Sequence, residues 1–153
     1  MKMQLKNKLC AAMAVCALAI SVVLCMFLTA CDKNAEVTVT DEDSLRFALL
    51  SSENTTITLN DEIIIEKQLN VAGKKTLKGT GKITMQLAAI DGQAVLAVRE
   101  GAELTVEGIS LDGNGISNGV HVYSGAKLIY NGGKIDWTAE YGVVSESSAT
   151  LSN

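Results

Sequence analysis

The sequence predicts an all-β fold, a parallel β-helix in which short strands stack in successive turns of a solenoid. The first observation is a repeat, because the stretch from Leu104 to Val106 recurs as Leu128 to Tyr130, a step of 24 residues. The second is that apolar residues in these stretches alternate with polar or small ones, which is the period of a strand. The third is that glycines separate the strands, at Gly101, Gly108, Gly113, Gly115, Gly119, Gly125, Gly132 and Gly133.

A fixed period of this length is typical of repeat units that bury their apolar faces only against neighbouring units. Roughly 23 residues at about 3.3 Å per strand residue suit one turn of three short strands. The alignment predicts an inward column of Leu104, Leu128 and Leu151 and an outward column of Ala97, His121 and Val144. Tyr130 should also point inward, and the glycines should lie at corners, where a residue without a Cβ bends most easily.

Composition and charge narrow the classes of partner. The chain is 48% apolar but only 4% aromatic, which suits a narrow core of aliphatic side chains. After residue 30 it carries ten Lys and Arg against 17 Asp and Glu, a formal charge of −7. Because nucleic-acid binding needs clustered basic residues, this balance argues against a nucleic-acid partner. Only one cysteine, Cys31, follows residue 30, so no intramolecular disulfide is expected beyond it.

The first 30 residues have the layout of an export signal and not of a folded domain. Residues 1–8 are short and basic, and residues 9–27 are almost wholly apolar. The tetrad that follows, Leu28-Thr29-Ala30-Cys31, resembles the lipobox of bacterial lipoproteins at all four positions. The resemblance implies cleavage between Ala30 and Cys31, a diacylglycerol on Cys31 with acyl chains such as palmitate, and a lipid-anchored location on the outer face of a cell membrane. An uncleaved membrane span and an ordinary secretory signal are the alternatives.

The domain is expected to start with a tether, a strand and a capping helix. Residues 31–35 should form the lipid anchor and a short tether, and the β-helix domain should run from 36 to 153, with its first strand at 36–40. Thr40 and Asp43 have the spacing of a capping box, which predicts a helix over 41–51. We expect this helix to cover the open end of the first turn, with Phe47 and Leu50 as the plug.

The next strands are expected to be less regular than the later repeats. They are predicted at 55–59, 62–65, 69–71, 76–77 and 83–85, with a longer corner at 86–92. The repeats stop partway through a turn at Asn153, so we expect the protein to be truncated there or to have a partner at that end.

From Val37 onward, a capping helix followed by ITL, LNVAGKKTLKGTG and GISLDGNG resembles the pectate-lyase-like superfamily of right-handed parallel β-helices. The resemblance implies a class of extracellular bacterial proteins that includes polysaccharide lyases, polygalacturonase-like hydrolases, adhesins and repeat proteins. The fold alone does not choose among these activities.

Two acidic residues are candidates for chemistry. Asp112 and Asp136 occupy the same position of successive turns, so their backbones should lie about one strand spacing, roughly 4.8 Å, apart. Paired carboxylates can act on sugars, but Asp before Gly is also ordinary turn chemistry. Asp112-Gly-Asn114-Gly115 offers too few oxygen ligands for calcium, so no metal and no cofactor are expected.

The remaining candidates are basic and aromatic. His121 has no acid or nucleophile in its own column, so a solvent-facing strand position is favoured over a catalytic triad. Arg99, Tyr123 and Glu146 should form the next outward column, where a charged ladder is favoured over a lyase base. Trp137, at a corner, is the best binding candidate, either as an exposed platform for sugar rings or as a plug, and Tyr141 and Tyr123 are the other aromatic candidates.

These observations favour a non-catalytic module over an enzyme and leave the enzyme open. The leading hypothesis is a surface-anchored β-helix lipoprotein that acts in binding, adhesion or structure, toward glycans or envelope proteins. The alternative is a polysaccharide lyase or glycoside hydrolase whose active site lies partly beyond residue 153. That alternative depends on the Asp112 and Asp136 column.

Overall fold

The computed structural model describes residues 34–86 and 93–152, which form a β-solenoid of about five turns with one helix. In chain order the elements are β1 (Ala35–Thr38), α1 (Glu42–Leu50), β2 (Thr55–Leu59), β3 (Glu62–Ile65), β4 (Leu69–Val71), β5 (Lys74–Gly79), β6 (Lys82–Met85), β7 (Ala94–Val98), β8 (Glu103–Glu107), β9 (Ser110–Asp112), β10 (Asn118–Val122), β11 (Lys127–Asn131), β12 (Ile135–Asp136), β13 (Val143–Ser145) and β14 (Ser148–Ser152). The predicted strands are present, with boundaries shifted by one or two residues.

The strands form three sheets, and the neighbouring strands in each sheet are parallel. Sheet 1 has the order β1-β2-β5-β8-β11-β14, sheet 2 has β3-β6-β9-β12, and sheet 3 has β4-β7-β10-β13. The chain visits sheets 1, 2 and 3 in turn and then returns to sheet 1 one strand further along. This is the topology of the predicted parallel β-helix, which the structure therefore confirms.

Inward side chains stack in columns along the solenoid. Leu104 lies in register with Leu128, as predicted. In sheet 1 a second column consists of Ile57, Leu77, Val106 and Tyr130. Every one of these side chains is at most 5% exposed, including Tyr130, which was predicted to belong to the core. The apolar core is therefore the sum of contacts between adjacent turns.

The predicted position of Leu151 in the first column is wrong by two residues. Leu151 lies opposite Tyr130, and Ala149 lies opposite Leu128. The cause is a shorter corner, because residues 146–147 connect β13 to β14 whereas residues 123–126 connect β10 to β11. A shift of two residues preserves the face on which a strand side chain lies.

The predicted outward column is present, because His121 lies in register with both Ala97 and Val144. Ala97 is nevertheless fully buried. It lies in register between Asn70 and His121, whose larger side chains flank its methyl group. Gly119 was expected at a corner, but it lies inside β10. A Cβ at Gly119 would approach the side chain of Ile135 to 2.3 Å, so lack of space explains the glycine.

The predicted helix is present, but its capping residue is Asp41 and not Thr40. The Asp41 carboxylate accepts a 2.8 Å hydrogen bond from the Ser44 backbone N–H, and Ser44 Oγ accepts from the Asp41 N–H at 3.4 Å. These reciprocal bonds form a capping box one residue later than expected. The hydrogen bond from the Ser44 backbone is the main cause that lowers the pKa of Asp41 below its usual value.

The helix covers the first turn, but with a different face from the one predicted. Leu45 and Leu49 are fully buried, and Ala48 is 5% exposed. Phe47 and Leu50, the predicted plug, are 79% and 48% exposed. Helical positions 45, 48 and 49 share one face, and this face packs on β2, β3 and β4.

A lysine occupies an inward position in the early part of sheet 1. Lys75 lies in register between Thr55 and Leu104 and is only 1% exposed. Its Nζ donates a 2.8 Å hydrogen bond to the Ser51 carbonyl and another to the Glu53 carbonyl. Burial lowers the pKa of Lys75. The side chain therefore ties the end of α1 to the core.

The predicted long corner falls between β6 and β7. This connection spans residues 86–93, whereas residues 113–117 and 137–142 span the same corner in the next two turns. Residues 87–92 and the whole predicted signal and anchor, with Ala30 and Cys31, lie outside the described residues. No helix within 34–86 or 93–152 has the length and hydropathy needed to cross a bilayer.

Candidate binding surface

Three exposed apolar side chains share the corner between sheets 2 and 3. They are Ile116, 38% exposed, Trp137, 76% exposed, and Tyr141, 58% exposed, and we call them the aromatic corner. The segments that carry them lie on top of each other in successive turns. Gly115 donates a 2.6 Å backbone hydrogen bond to the carbonyl of Trp137, and Ala139 donates a 2.9 Å bond to the carbonyl of Ser117.

Trp137 has an unusual backbone conformation. Its φ is 49°, in the left-handed region that non-glycine residues seldom adopt. The hydrogen bond from Gly115 holds its carbonyl in place. A bulky residue in this conformation is a local strain that the surrounding turns must compensate. Of the two interpretations of Trp137, its 76% exposure excludes the plug and leaves the exposed position.

A buried asparagine holds the rest of the corner. Asn118 is 6% exposed, and its Oδ1 accepts hydrogen bonds from the backbone N–H groups of Tyr141 at 2.9 Å and Glu140 at 3.3 Å. Sequence reasoning missed this residue. Its position directly before the apolar alternation of β10 was the only available signal. The segment that presents Trp137 and Tyr141 is thus fixed at both ends.

Asp112 and Asp136 are in register on β9 and β12, as predicted. The Asp112 carboxylate already has two hydrogen-bond partners. It accepts a 2.8 Å bond from the Asn114 N–H of its own turn and a 3.3 Å bond from Lys82 Nζ of the preceding turn. Lys82 also contacts Glu62 at 2.9 Å. The hydrogen bond to Glu62 is the main cause that raises the pKa of Lys82, and Asp112 adds to it.

The Asp112 contacts favour turn chemistry over catalysis. The Asp112 carboxylate is occupied by a lysine and a backbone N–H, so it is not free to contact a glycosidic oxygen. Within the described ranges, no three His, Cys, Asp or Glu side chains converge as a metal site would require. Asp136 directly precedes Trp137, so four of the five predicted ligand-binding residues lie at or beside the aromatic corner.

Tyr123, the fifth, lies at the opposite end of β10. Its ring stacks on His121 with centroids 4.1 Å apart and planes 6° apart, and the Arg99 guanidinium carbon lies 4.6 Å from its centroid. These contacts occupy ring surface that a sugar would need. Tyr123 therefore does not belong to one continuous aromatic surface with Trp137 and Tyr141.

The surroundings of Tyr123 form the outward ladder that the sequence favoured. Arg99 Nε donates a 2.7 Å hydrogen bond to Asn70 Oδ1, one turn earlier. His121 Nε2 lies 2.9 Å from Glu146 Oε1, one turn later, so His121 does have an acidic neighbour, which sequence reasoning missed. An open cleft of about 470 Å³ borders this ladder, lined by Arg99, Glu100, Tyr123, Ser124 and Glu146. The ladder links four successive turns through side chains.

No protein-family model, curated protein or solved structure matches this chain. The assignment of a function therefore depends on the geometry of the described residues.

Proposed function

We propose that this chain is a lipoprotein, anchored through Cys31 to the outer face of a membrane, that binds glycans through the aromatic corner. In this proposal the solenoid is a right-handed β-helix of the pectate-lyase-like kind. The observation that carries the proposal is Trp137, a large apolar side chain that is 76% exposed on a segment held by backbone hydrogen bonds.

Aromatic rings suit sugars because the C–H face of a pyranose is apolar while its rim is polar. An indole gives a large rigid contact area, and few rotatable bonds have to be ordered on binding. Tyr141 and Ile116 are also exposed at this corner, and the adjacent Asp136 carboxylate can accept hydrogen bonds from sugar hydroxyls. A site on ordered turns also loses less entropy than a site on a mobile loop.

The single tryptophan makes the test direct, since Trp137 is the only indole in the chain. We expect binding glycans to change the emission of Trp137 and to retard the protein in gels that contain the same glycan. Trp137→Ala should remove the retardation. Phe47→Ala, which removes an equally exposed aromatic ring at the other end of the solenoid, should leave it unchanged.

A glycan that retards the native protein and Trp137→Ala equally would overturn the assignment of the aromatic corner. A panel of envelope and environmental glycans that retards neither protein would overturn glycan binding itself. That second result would favour an envelope protein as the partner.

The anchor is tested separately. Cells that express the native chain should incorporate a fatty-acid analogue into it, and Cys31→Ser should not. Labelling of the Cys31→Ser protein at the native level would contradict lipidation at this residue. The native chain should also remain with the membrane fraction, and the variant should leave it.

A second candidate is a polysaccharide lyase or glycoside hydrolase that acts at the Asp112 and Asp136 column. The register of the two carboxylates favours it, and the binding of Asp112 to Lys82 weighs against it. Incubation with polygalacturonate and related glycans, with and without calcium, should release unsaturated or reducing ends if this candidate is correct. Loss of that release in Asp136→Asn would assign the activity to the column.

A further inference from the structure

The outer face of α1 carries an apolar pair that no described residue covers. Phe47 is 79% exposed and Leu50 is 48% exposed, and because they are three residues apart they lie on one side of the helix. The opposite side, with Leu45 and Leu49, is fully buried on the solenoid. We call Phe47 and Leu50 the cap face. It points away from the core at the end of the solenoid where the chain starts.

We expect an apolar pair that is this exposed on a capping helix to be covered by another surface. Capping elements of solenoids normally end in a polar outer face, because they separate the apolar core from water. Phe47 and Leu50 depart from this pattern, because two neighbouring apolar side chains are exposed where a polar face is expected.

The short connection between Cys31 and β1 indicates which surface the cap face would meet. Strand β1 begins at Ala35 and is the outermost strand of sheet 1, next to the turn that α1 covers. Only residues 32–34 separate it from Cys31. At no more than about 3.6 Å per residue, four steps of chain reach roughly 14 Å. A lipid on Cys31 would therefore keep the start of β1 within that distance of the lipidated residue, and α1 covers the turn next to β1.

We propose that the cap face docks on the surface of the lipid bilayer, with Phe47 and Leu50 inserted among the headgroups. This inference rests on the proposed lipid at Cys31. Two side chains suffice because the anchor makes docking an intramolecular step at high effective concentration. Aromatic side chains are favoured at the interface between headgroups and acyl chains.

The charges beside the cap face define the kind of lipid. Asp41, the N-cap of α1, and Glu42 and Asp43 in its first turn precede the cap face. Arg46 is held by Glu42 and by the carbonyls of residues 67 and 68. An acidic rim is not attracted to anionic headgroups. The docking is therefore apolar and takes place on zwitterionic lipid.

The test uses a chain of residues 31–153, which contains the whole described core and in which Cys31 is the only thiol. Cys31 is coupled to a maleimide lipid in phosphatidylcholine vesicles whose acyl chains are brominated. One protein carries Phe47→Trp and Trp137→Phe, so that its only indole is in the cap face. The other keeps the native Trp137, which follows β12, three strand spacings or roughly 14 Å beyond β3.

We expect the indole at position 47 to lose most of its fluorescence to the bromines, with emission shifted to the blue. Trp137 in the matched protein should keep its fluorescence. Adding Leu50→Ser to the first protein should reduce the loss. Circular dichroism and thermal unfolding confirm that each variant folds, since the substituted positions are all exposed.

Docking would be overturned if the bromines quench the indoles at positions 47 and 137 by the same fraction, or if they do not quench the indole at position 47. Because the lipid is attached chemically, this outcome does not depend on whether cells lipidate Cys31. Failure of the anchor itself appears in the fatty-acid labelling of the native chain. The two failures are therefore distinguishable.

Discussion

The phenol hydroxyl of Tyr130 donates a 2.6 Å hydrogen bond to the backbone carbonyl of Ile109, in the preceding turn. It also lies 3.3 Å from the carbonyl of Lys134. Tyr130 is the largest side chain in a column otherwise made of aliphatic residues, and it is 5% exposed. One inward side chain thus both fills the core and joins two turns through a polar contact.

Tyr130→Phe should destabilise the solenoid by about 1 kcal/mol, because the Ile109 carbonyl loses its phenol donor inside the protein. The ring that fills the column remains, so no cavity contributes. The midpoint of urea unfolding measures the effect. A variant as stable as the native chain would show that water replaces the hydroxyl at no cost.

Tyr130 should also make the free energy of unfolding depend on pH in the alkaline range. Burial, with a smaller effect from Asp136, raises the pKa of Tyr130. The folded state therefore keeps this proton above pH ~10, where an unfolded tyrosine ionises. Its contribution to stability is complete below pH ~10 and falls as the pH rises further. Between pH 9 and 11, about the titration range of tyrosine, the stability of Tyr130→Phe should fall less than that of the native chain.

Gly133 should tolerate no side chain. Its φ is +80°, and a Cβ would lie 2.1 Å from the Ile109 carbonyl oxygen. Gly133→Ala should therefore cost more than about 3 kcal/mol, because strain and collision act together. Gly101, with a φ of +74° and no atom near its Cβ position, is the matched control. Gly101→Ala carries the strain alone and should cost about 1–2 kcal/mol. Equal losses of urea stability would refute the role of close stacking.

The fold was predictable because its strands alternate at period two and recur at a nearly constant step. Leu104 and Leu128 have the register that this step requires. Corner length was not predictable, since a corner contributes no periodic signal. The short corner before β14 therefore displaced Leu151 by two residues, although it stayed on the inward face of sheet 1.

The buried face of α1 was ambiguous in the sequence for a physical reason. The helix carries apolar residues on both sides, so hydrophobicity alone did not distinguish Leu45 and Leu49 from Phe47 and Leu50. Lys75 was missed because a charged residue is normally placed outside. Its position two residues before Leu77 gave the correct face, since side chains two apart in a strand share a face.

The candidate site was predictable in part. Trp137, Tyr141 and Asp136 stand out by residue type, and they do lie at one corner. The separation of Tyr123 from them was not visible, because it depends on which end of β10 each corner occupies. Neither Asn118 nor the contact of His121 with Glu146 follows from residue type.

The capping box gives a prediction with an internal control. Asp41→Ala should lower the urea midpoint, since the Ser44 N–H loses its acceptor. Thr40→Ala should leave it unchanged, because among the described residues the Thr40 hydroxyl bonds only to Asp41, at a long 3.4 Å. The lowered pKa of Asp41 means that its contribution is present above the usual value of 3.8 and is lost as the pH falls through the folded value. Equal midpoints for the two variants would contradict this assignment of the cap.

Lys75 gives the last prediction, because it joins the core to the end of α1. Lys75→Ala removes both hydrogen bonds and leaves space in the inward column, so it should cost about 2–4 kcal/mol. Lys75→Met keeps the volume and should cost less. The destabilisation should be local at first. Relative to the native chain, Lys75→Ala should therefore speed hydrogen exchange of the backbone amides of α1 more than that of the amides of β11.

Lys75 should also make the stability of the native chain depend on pH, and Lys75→Met is the reference. Burial lowers the pKa of Lys75, so between the folded value and the usual ~10.4 the unfolded chain binds more protons than the folded one. In that window the native chain gains stability as the pH rises, relative to Lys75→Met. Urea unfolding of both proteins between neutral pH and pH ~10 measures the difference. If the native chain instead lost stability relative to Lys75→Met as the pH rises, the ammonium group would be better solvated in the fold than in water.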